Sequence, residues 1–220
     1  MELEYIVIQA GGKGTRMESL TANKPKALIP IDNLPMIFHL FKRFPEKKYI
    51  IIGDYKYEVL EKYLKEFAEV DYRMVCGTGY NGTCSGLTQA ISYIPEKKRF
   101  MLIWCDLVLP QDYQIPDIDE NIIGISKDFS CRWKYEGGKF IEEKSLNHGV
   151  AGCFIFKNKS YLQNIPKEGE FVRWLKDENI NFVEQALYHT HEYGLYDEWD
   201  KLPRATCRPF NRTWVEDGKF

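Results

Sequence analysis

The most constraining feature of this 220-residue sequence is a glycine-rich stretch placed directly after a short apolar run. The run, residues 3–8, predicts a buried parallel strand. Three glycines then fall within four positions, at Gly11, Gly12 and Gly14. Because glycine has no Cβ, such a loop can turn sharply and expose backbone N–H groups that hold a phosphate. Cations lie in or just after the loop, at Lys13, Arg16, Lys24 and Lys26. The stretch therefore predicts a site for a nucleoside polyphosphate.

Two well-known phosphate motifs do not match this stretch. The P-loop needs four residues between its first glycine and Gly-Lys-Ser/Thr, whereas here Lys13 is followed by Gly14. The dinucleotide fingerprint G-x-G-x-x-G would start at Gly12 and end at Met17, which is not a glycine. Neither a P-loop enzyme nor a dinucleotide-binding enzyme is predicted.

Residues 11–28 instead resemble the signature of the nucleotidyltransferases that activate sugar phosphates. That signature is Gly-Gly-x-Gly-Thr-Arg-Met/Leu, a short gap, then Pro-Lys-Ala/Pro-Leu. Here it reads Gly11-Gly-Lys-Gly-Thr-Arg-Met17 and Pro25-Lys-Ala-Leu28. A glycine turn with a solvated basic loop does not explain why Pro25 precedes Lys26 at this distance. In size the chain is similar to small cytidylyltransferases such as the bacterial phosphocholine cytidylyltransferases.

Apolar runs alternate with helical patterns, which predicts an α/β fold with a mostly parallel central sheet and right-handed crossovers. Strands are predicted at residues 3–8, 28–31, 49–53, 71–76, 99–105, 120–126, 130–135, 147–156 and 181–191. Helices are predicted at residues 36–44, 56–67, 160–164 and 168–178. The resemblance implies a Rossmann-like α/β/α sandwich, the glycosyltransferase-A-like nucleotidyltransferase fold. We expect this domain to span residues 1–203.

The resemblance assigns the triphosphate to the first glycine loop. Loop N–H groups and Arg16 would hold the β- and γ-phosphates and the leaving pyrophosphate, and Lys26 would lie at the α-phosphate. Arg16 and Lys26 are therefore the expected catalytic residues. The nucleotide-binding residues expected in this loop are Gln9, Ala10, Gly11, Gly12, Lys13, Gly14 and Thr15.

A second glycine-rich loop, residues 77–90, runs into a helix, with Thr83 or Ser85 as the candidate N-cap. In the family this loop lies against the base, where backbone groups and short hydroxyls can read the edge of a pyrimidine. An ordinary strand-to-helix loop is the alternative. The nucleotide-binding residues expected here are Tyr80, Asn81, Gly82, Thr83 and Ser85.

A Mg²⁺ site is expected at Asp106 and Glu192. Asp106 follows an apolar strand, and ligands of α/β sheets bind at the carboxyl ends of strands. The family's first metal carboxylate has this position, and its second falls by register on Glu192, with Asp197 as the alternative. Two carboxylates repel each other when the ion is absent, so Asp106→Asn is expected to leave thermal stability unchanged or slightly higher.

His189 and His191 could share a strand face and bind zinc, but no third nitrogen or sulfur ligand is evident.

The acceptor is expected on the second half of the chain. Phe140-Ile-Glu-Glu-Lys144 resembles the family's Val/Ile-x-Glu-Lys-Pro, which implies that Glu143 contacts the sugar and Lys144 the acceptor phosphate. Residues 147–156 resemble a family strand whose glycine permits close approach of the acceptor. Gly152 is favoured for that role over Gly149.

Composition excludes several classes. The net charge of -2 provides no broad basic field for nucleic acid or an anionic membrane. No apolar run is long enough to span a bilayer, and the acidic N-terminus does not read as a signal peptide. The six cysteines have no C-x-x-C spacing. Reduced thiols and a cytoplasmic location are therefore expected.

These observations predict an Mg²⁺-dependent nucleotidyltransferase, and CTP is favoured because small members without hexapeptide repeats are often cytidylyltransferases. The acceptor would be a sugar phosphate, an alditol phosphate or a phospho-amino alcohol, for surface polysaccharide or capsule precursors. Uridylyl or thymidylyl transfer to a sugar 1-phosphate is one alternative, and a non-catalytic nucleotide-sensing module is another. A glycosyltransferase is disfavoured because Asp106-Leu-Val lacks an Asp-x-Asp motif.

Residues 204–220 predict a hairpin cut in its second strand, which is not stable alone. We expect this tail to be the start of a fused kinase-like phosphotransferase domain that would make the acceptor phosphate. A homodimer is left open.

Overall fold

The computed structural model describes residues 2–77, 81–110, 112–188 and 190–192. Its strands are β1 (Tyr5–Gln9), β2 (Pro30–Ile31), β3 (Leu34–Pro35), β4 (Lys48–Gly53), β5 (Tyr72–Cys76), β6 (Phe100–Trp104), β7 (Leu107–Val108), β8 (Ile122–Ser126), β9 (Lys134–Glu136), β10 (Lys139–Ile141), β11 (Gly149–Phe156), β12 (Val183–Leu187) and β13 (His191–Glu192). Its helices are α1 (Met36–Arg43), α2 (Tyr57–Phe67), α3 (Leu87–Ser92) and α4 (Phe171–Asp177). Short 3₁₀ segments add Thr15–Thr21, which is kinked at Glu18, Lys26–Leu28 and Lys159–Leu162.

The central sheet runs in the order β10-β9-β11-β6-β1-β4-β5, and β8 joins it between β11 and β12. Strands β6, β1, β4 and β5 are parallel, as are β8 and β12. Strand β11 is antiparallel to β6, β8 and β9, which reverses the strand direction on that side. The predicted α/β fold, with a mixed and mostly parallel central sheet flanked by helices, is confirmed.

Strands β1, β6, β8 and β11 are apolar and largely buried along their length because the sheet is covered on both faces there. On β1, Ile6 and Ile8 belong to the apolar layer that contains Leu40 of α1 and Leu60 of α2. The intervening Val7 belongs to the opposite layer, with buried side chains of α3 and α4. This two-sided packing fixes the strand ends from which the loops emerge.

The carboxyl ends of the parallel strands meet at one edge of the sheet. Gln9, at the end of β1, pairs in register with Ile52 of β4 and with Trp104 of β6. Gly53, at the end of β4, pairs with Cys76 of β5. The loops that follow these four strands therefore lie side by side, as binding sites in α/β sheets usually do.

Two local predictions are wrong. The N-cap position of α3 is Gly86, and neither Thr83 nor Ser85 caps the helix. The Thr83 hydroxyl instead accepts a hydrogen bond from the backbone N–H of Phe171, at 2.8 Å. On α2, the sequence also predicts one apolar stripe from Val59, Leu60, Tyr63, Leu64 and Phe67. The buried stripe is narrower, because Val59 and Phe67 are 37% and 59% exposed.

Helices in the described part of the chain are all too short or too polar to cross a membrane. Residues 193–220 lie outside the described residues. The domain end at residue 203 and the fused kinase-like tail therefore remain predictions.

Candidate active site

The first glycine loop is anchored at its start by backbone contacts with β4 and the segment after it, and at its far end by a tyrosine side chain. The N–H of Ala10 donates to the carbonyl of Ile52 at 2.9 Å, and the N–H of Tyr55 donates to the carbonyl of Gly11 at 3.2 Å. The Tyr55 hydroxyl donates to the carbonyl of Thr21 at 2.8 Å, which ties down the far end of the loop. The charged side chains of Lys13 and Arg16 are exposed. The loop is thus held firmly while its cations face solvent.

Gly14 forms the sharp turn of this loop. Its φ is +62°, a left-handed conformation that favours glycine. A Cβ at this position would lie 3.0 Å from Thr21 Cγ2 and 3.2 Å from Lys26 Cβ. The Thr21 hydroxyl donates to the Gly14 carbonyl at 3.1 Å. A glycine here lets the loop close onto the segment that carries Lys26.

Lys26 and Asp106 form the central contact of the site. Lys26 Nζ donates to Asp106 Oδ2 at 2.5 Å, although the two residues are 80 positions apart. Their side chains are only 14% and 9% exposed. Lys26 follows the first loop, and Asp106 follows β6, so the pair joins the two adjacent strand ends. The structure thus brings together a predicted catalytic cation and a predicted metal carboxylate.

The backbone of Glu192 lies beside this pair. Strand β13 pairs with β7, and Glu192 is opposite Leu107, the residue after Asp106. The backbone of the residue predicted to carry the second carboxylate thus pairs with the short strand that begins directly after Asp106. Its alternative, Asp197, and the zinc candidate His189 lie outside the described residues.

The second loop is linked to the first through Gln9. Gln9 Nε2 donates to the carbonyls of Thr83 at 2.7 Å and Ser85 at 3.3 Å. Asn81 accepts a backbone hydrogen bond from Gly169, whose own carbonyl accepts one from Cys84. The Gln9 amide is therefore occupied in orienting this loop. Tyr80 lies outside the described residues, whereas Gly82 lies within this anchored segment.

The predicted acceptor residues lie on and beside the β9–β10 hairpin and on β11. Glu143 and Lys144 are exposed, and Glu143 Oε2 is 2.9 Å from Lys134 Nζ. In the described part of the chain, no ion pair involves Lys144. Gly152 lies where the register of β11 against β8 shifts, between Val150 and Phe154. The hydrogen bond and ion pair that join Lys26 to Asp106 include none of these three residues.

Gly152 has a structural requirement of its own. Its φ is +83°, and a Cβ there would lie 1.4 Å from Cε3 of Trp104. We expect Gly152→Ala to lower the free energy of unfolding by at least about 3 kcal/mol, because the indole ring and the backbone must both move. Chemical denaturation measures this loss. Gly137→Ala is the matched control, since Gly137 also has a positive φ but no atoms near a Cβ, and should cost only about 1 kcal/mol. Equal losses in the two variants would contradict the Trp104 contact.

Sequence reasoning missed two residues at this edge. Asp54 follows β4 and is exposed, and the adjacent Tyr55 anchors the first loop. The signal for Asp54 was the same as for Asp106, a carboxylate directly after an apolar strand. Nothing local in the sequence identifies Tyr55, because its partners are 34 and 44 residues away.

Thiol chemistry is disfavoured at this site. Burial raises the pKa of the Cys105 thiol, next to Asp106, to about 12. A thiol with such a pKa is protonated at neutral pH and is a weak nucleophile. A nucleophilic role for Cys105 is therefore disfavoured.

Comparison with known proteins identifies the family of this chain. The MobA-like NTP transferase domain matches residues 6–122. D-glycero-alpha-D-manno-heptose 1-phosphate guanylyltransferase of Campylobacter jejuni is 30% identical over 205 residues, which cover 91% of this chain and 89% of that protein. The bifunctional protein GlmU of Methanococcus maripaludis is 28% identical over 124 residues, 55% of this chain. The match spans only 29% of the length of that GlmU.

Solved structures agree on the fold. HddC of Yersinia pseudotuberculosis superposes with a TM-score of 0.74 at 19% identity, covering 91% of this chain and 98% of that one. The CTP:phosphocholine cytidylyltransferase LicC of Streptococcus pneumoniae superposes with a TM-score of 0.72 at 19% identity, covering 93% and 99%. The predicted resemblance is confirmed: this chain belongs to the MobA-like NTP transferase family, whose members include sugar-phosphate nucleotidyltransferases.

Proposed function

We propose that this chain transfers a nucleoside monophosphate from a nucleoside triphosphate to a phosphorylated small molecule. The observation that carries the proposal is the Lys26–Asp106 contact of 2.5 Å beside the anchored glycine loop. A cation and a buried carboxylate at the carboxyl edge of the sheet suit the binding of a triphosphate and its metal ion.

The reaction requires little covalent chemistry from the protein. A phosphate oxygen of the acceptor forms a bond to the α-phosphorus, and the bond between that phosphorus and the bridging oxygen to the β-phosphate breaks. The electron pair leaves with pyrophosphate. Lys26 neutralises the charge that develops at the α-phosphate, while Arg16 and the loop N–H groups hold the leaving group. Positioning and charge stabilisation thus account for catalysis.

The residues present fit Mg²⁺. Magnesium usually takes one or two carboxylates and completes its shell with water and substrate phosphates. Asp106 supplies a nearly buried carboxylate, and the backbone of Glu192 runs beside it. Among the described residues, no group of three or more His, Cys, Asp or Glu side chains is placed to hold a metal ion. Bound there, the ion would neutralise triphosphate charge.

We favour CTP as the nucleotide, for transfer to a sugar phosphate, an alditol phosphate or a phospho-amino alcohol. The superposition with the cytidylyltransferase LicC covers 93% of this chain and 99% of LicC. A rival is guanylyl transfer to a sugar 1-phosphate, because the Campylobacter guanylyltransferase matches nearly the full chain. Uridylyl and thymidylyl transfer rank behind these. A cytoplasmic location and a role in surface polysaccharide precursors would follow from such substrates.

A substrate matrix tests the proposal. Each of CTP, GTP, UTP and dTTP is incubated with Mg²⁺ and one acceptor from each class, and pyrophosphate release is measured. We expect one nucleotide–acceptor pair to exceed the others by at least about 10-fold, as a pocket built to hydrogen-bond one base does. Release with GTP alone would replace the cytidylyl proposal by the guanylyl one. No release from any pair, together with saturable nucleotide binding, would favour the nucleotide-sensing module.

Lys144→Ala should raise the KM for the acceptor by about 10-fold or more and leave the nucleotide Kd nearly unchanged. The reason is its location, since Lys144 lies next to the β9–β10 hairpin and not in either glycine loop. Steady-state kinetics and nucleotide titration measure the two effects. Lys139→Ala, another exposed lysine of that hairpin, is the control and should change neither. Loss of nucleotide affinity in Lys144→Ala would show that the acceptor and nucleotide halves are wrongly assigned.

A further inference from the structure

A cavity lies at the edge of the sheet opposite the candidate active site. Its volume is about 340 Å³. Leu3, Lys47 and Arg99 line it, and each lies just before a parallel strand, namely β1, β4 and β6. Residues 115–117, from the segment between β7 and β8, form another wall. The cavity is thus built from strand beginnings, whereas the nucleotide loops follow strand ends.

Arg99 is the distinctive side chain of this cavity. It is 2% exposed, and its Nε and Nη2 atoms have no hydrogen-bond partner among the described residues. These two N–H groups form the edge of the guanidinium that donates two parallel hydrogen bonds to a carboxylate or a phosphate. Burial also lowers the pKa of this guanidinium below its usual value, although Asp117 and Asp119 oppose the shift. Buried donors without partners are costly, so a matching acceptor is expected.

The other charges around the cavity leave this edge of Arg99 open. Lys47 is 9% exposed, and its Nζ lies 2.9 Å from Glu46 Oε1 and 3.5 Å from Glu2 Oε1. Glu2 and Asp117 line the cavity but are exposed to solvent. Neither carboxylate hydrogen-bonds Nε or Nη2 of Arg99. The cavity therefore has a second buried cation near a preorganised but unused bidentate donor.

We propose that this cavity is a second ligand site, which binds the oxyanion group of a small molecule through Nε and Nη2 of Arg99. The oxyanion is a phosphate monoester or a carboxylate. The cavity is within the usual size range of small-molecule sites, so the ligand carries more than the anionic group alone. Strand β6 separates Arg99 from Asp106 by roughly 20 Å, at about 3.3 Å per residue. A ligand here does not touch the nucleotide.

Titration of the full chain with orthophosphate and, separately, with citrate tests this site. The experiment uses an Arg16→Gln background to weaken phosphate binding at the glycine loop. The arginine Nε–H resonances are followed by NMR, and that of Arg99 is identified by its absence in Arg99→Met. We expect a saturable shift of this resonance and a rise in Tm of about 3–6 °C at ten times the Kd. A response to orthophosphate alone assigns a phosphoryl ligand, and a response to citrate alone assigns a carboxylate.

Two variants make the proposal falsifiable. Arg99→Met removes the donors, and Arg99→Lys keeps the charge but lacks the bidentate edge. Affinity for the responding anion should fall at least 10-fold in both, and Arg99→Lys decides alone if Arg99→Met does not fold. Arg73→Lys, at an arginine stacked on Tyr93 elsewhere, is the control and should bind normally. The proposal is overturned if no anion shifts the Arg99 resonance, or if binding persists unchanged in Arg99→Lys.

Discussion

Replacing Lys26 with methionine is expected to lower turnover by about 10³–10⁴, with the fold retained. Lys26 Nζ lies 2.5 Å from Asp106 Oδ2, between the glycine loop and the end of β6. At that position its charge would face the α-phosphate, where negative charge develops during transfer. Methionine keeps much of the apolar stem and removes only the charge. Initial rates of pyrophosphate release, at saturating nucleotide and acceptor, measure the effect.

Lys24→Met is the matched control for this prediction. Lys24 belongs to the same run of cations, but it precedes Pro25, and the ion pair with Asp106 is made by Lys26. Turnover of the Lys24→Met variant should stay within about 10-fold of wild type, since a cation that is not paired with the site carboxylate contributes little. If both variants lose activity equally, the effect reflects the overall positive field of the loop. Near-normal turnover in Lys26→Met alone would remove this lysine from the mechanism.

The framework of this site could be predicted from the sequence for a clear physical reason. A parallel strand covered on both faces must be apolar along its whole length, so the runs before Gly11 and Asp106 are visible as strands. The carboxyl ends of such strands share an edge. The strand pattern alone therefore places the glycine loop near the strand-end carboxylate. It does not predict their direct contact through Lys26.

The remaining features depend on contacts between distant residues. The Thr83 hydroxyl is a good N-cap by local rules, but the N–H of Phe171, 88 positions away, occupies it. Gly152 resembles a residue that admits a substrate, yet the atoms closest to its missing Cβ belong to Trp104 on the neighbouring strand. The lack of hydrogen-bond partners for Nε and Nη2 of Arg99 likewise depends on how this side chain is buried. Sequence patterns do not show which distant residue a given side chain contacts.

Asp106→Asn is expected to reduce Mg²⁺-dependent activity by about 10⁴, because asparagine is a neutral and weaker ligand for a hard cation. Nucleotide affinity in the presence of Mg²⁺ should fall as well, whereas affinity in its absence should not. Isothermal titration calorimetry with and without Mg²⁺ measures these two nucleotide affinities separately. Asp112→Asn, at an exposed carboxylate a few residues later, is the control and should keep full activity.

Glu192→Gln should resemble Asp106→Asn. If it is harmless and Asp197→Asn is inactive, the second ligand is Asp197.

The stability of Asp106→Asn is expected to differ from the prediction made from the sequence. Repulsion between two carboxylates predicted an unchanged or slightly higher Tm, but the Lys26 ammonium lies in direct contact with Asp106. Neutralising Asp106 removes the carboxylate that balances this cation in a nearly buried site, so we expect a loss of about 1–2 kcal/mol. The double variant Lys26→Met/Asp106→Asn should recover part of this loss, because it removes both charges of the pair. Strictly additive losses in this double-mutant cycle would show that the two side chains are not coupled. In that case the contact at the centre of the proposed mechanism would have no energetic support.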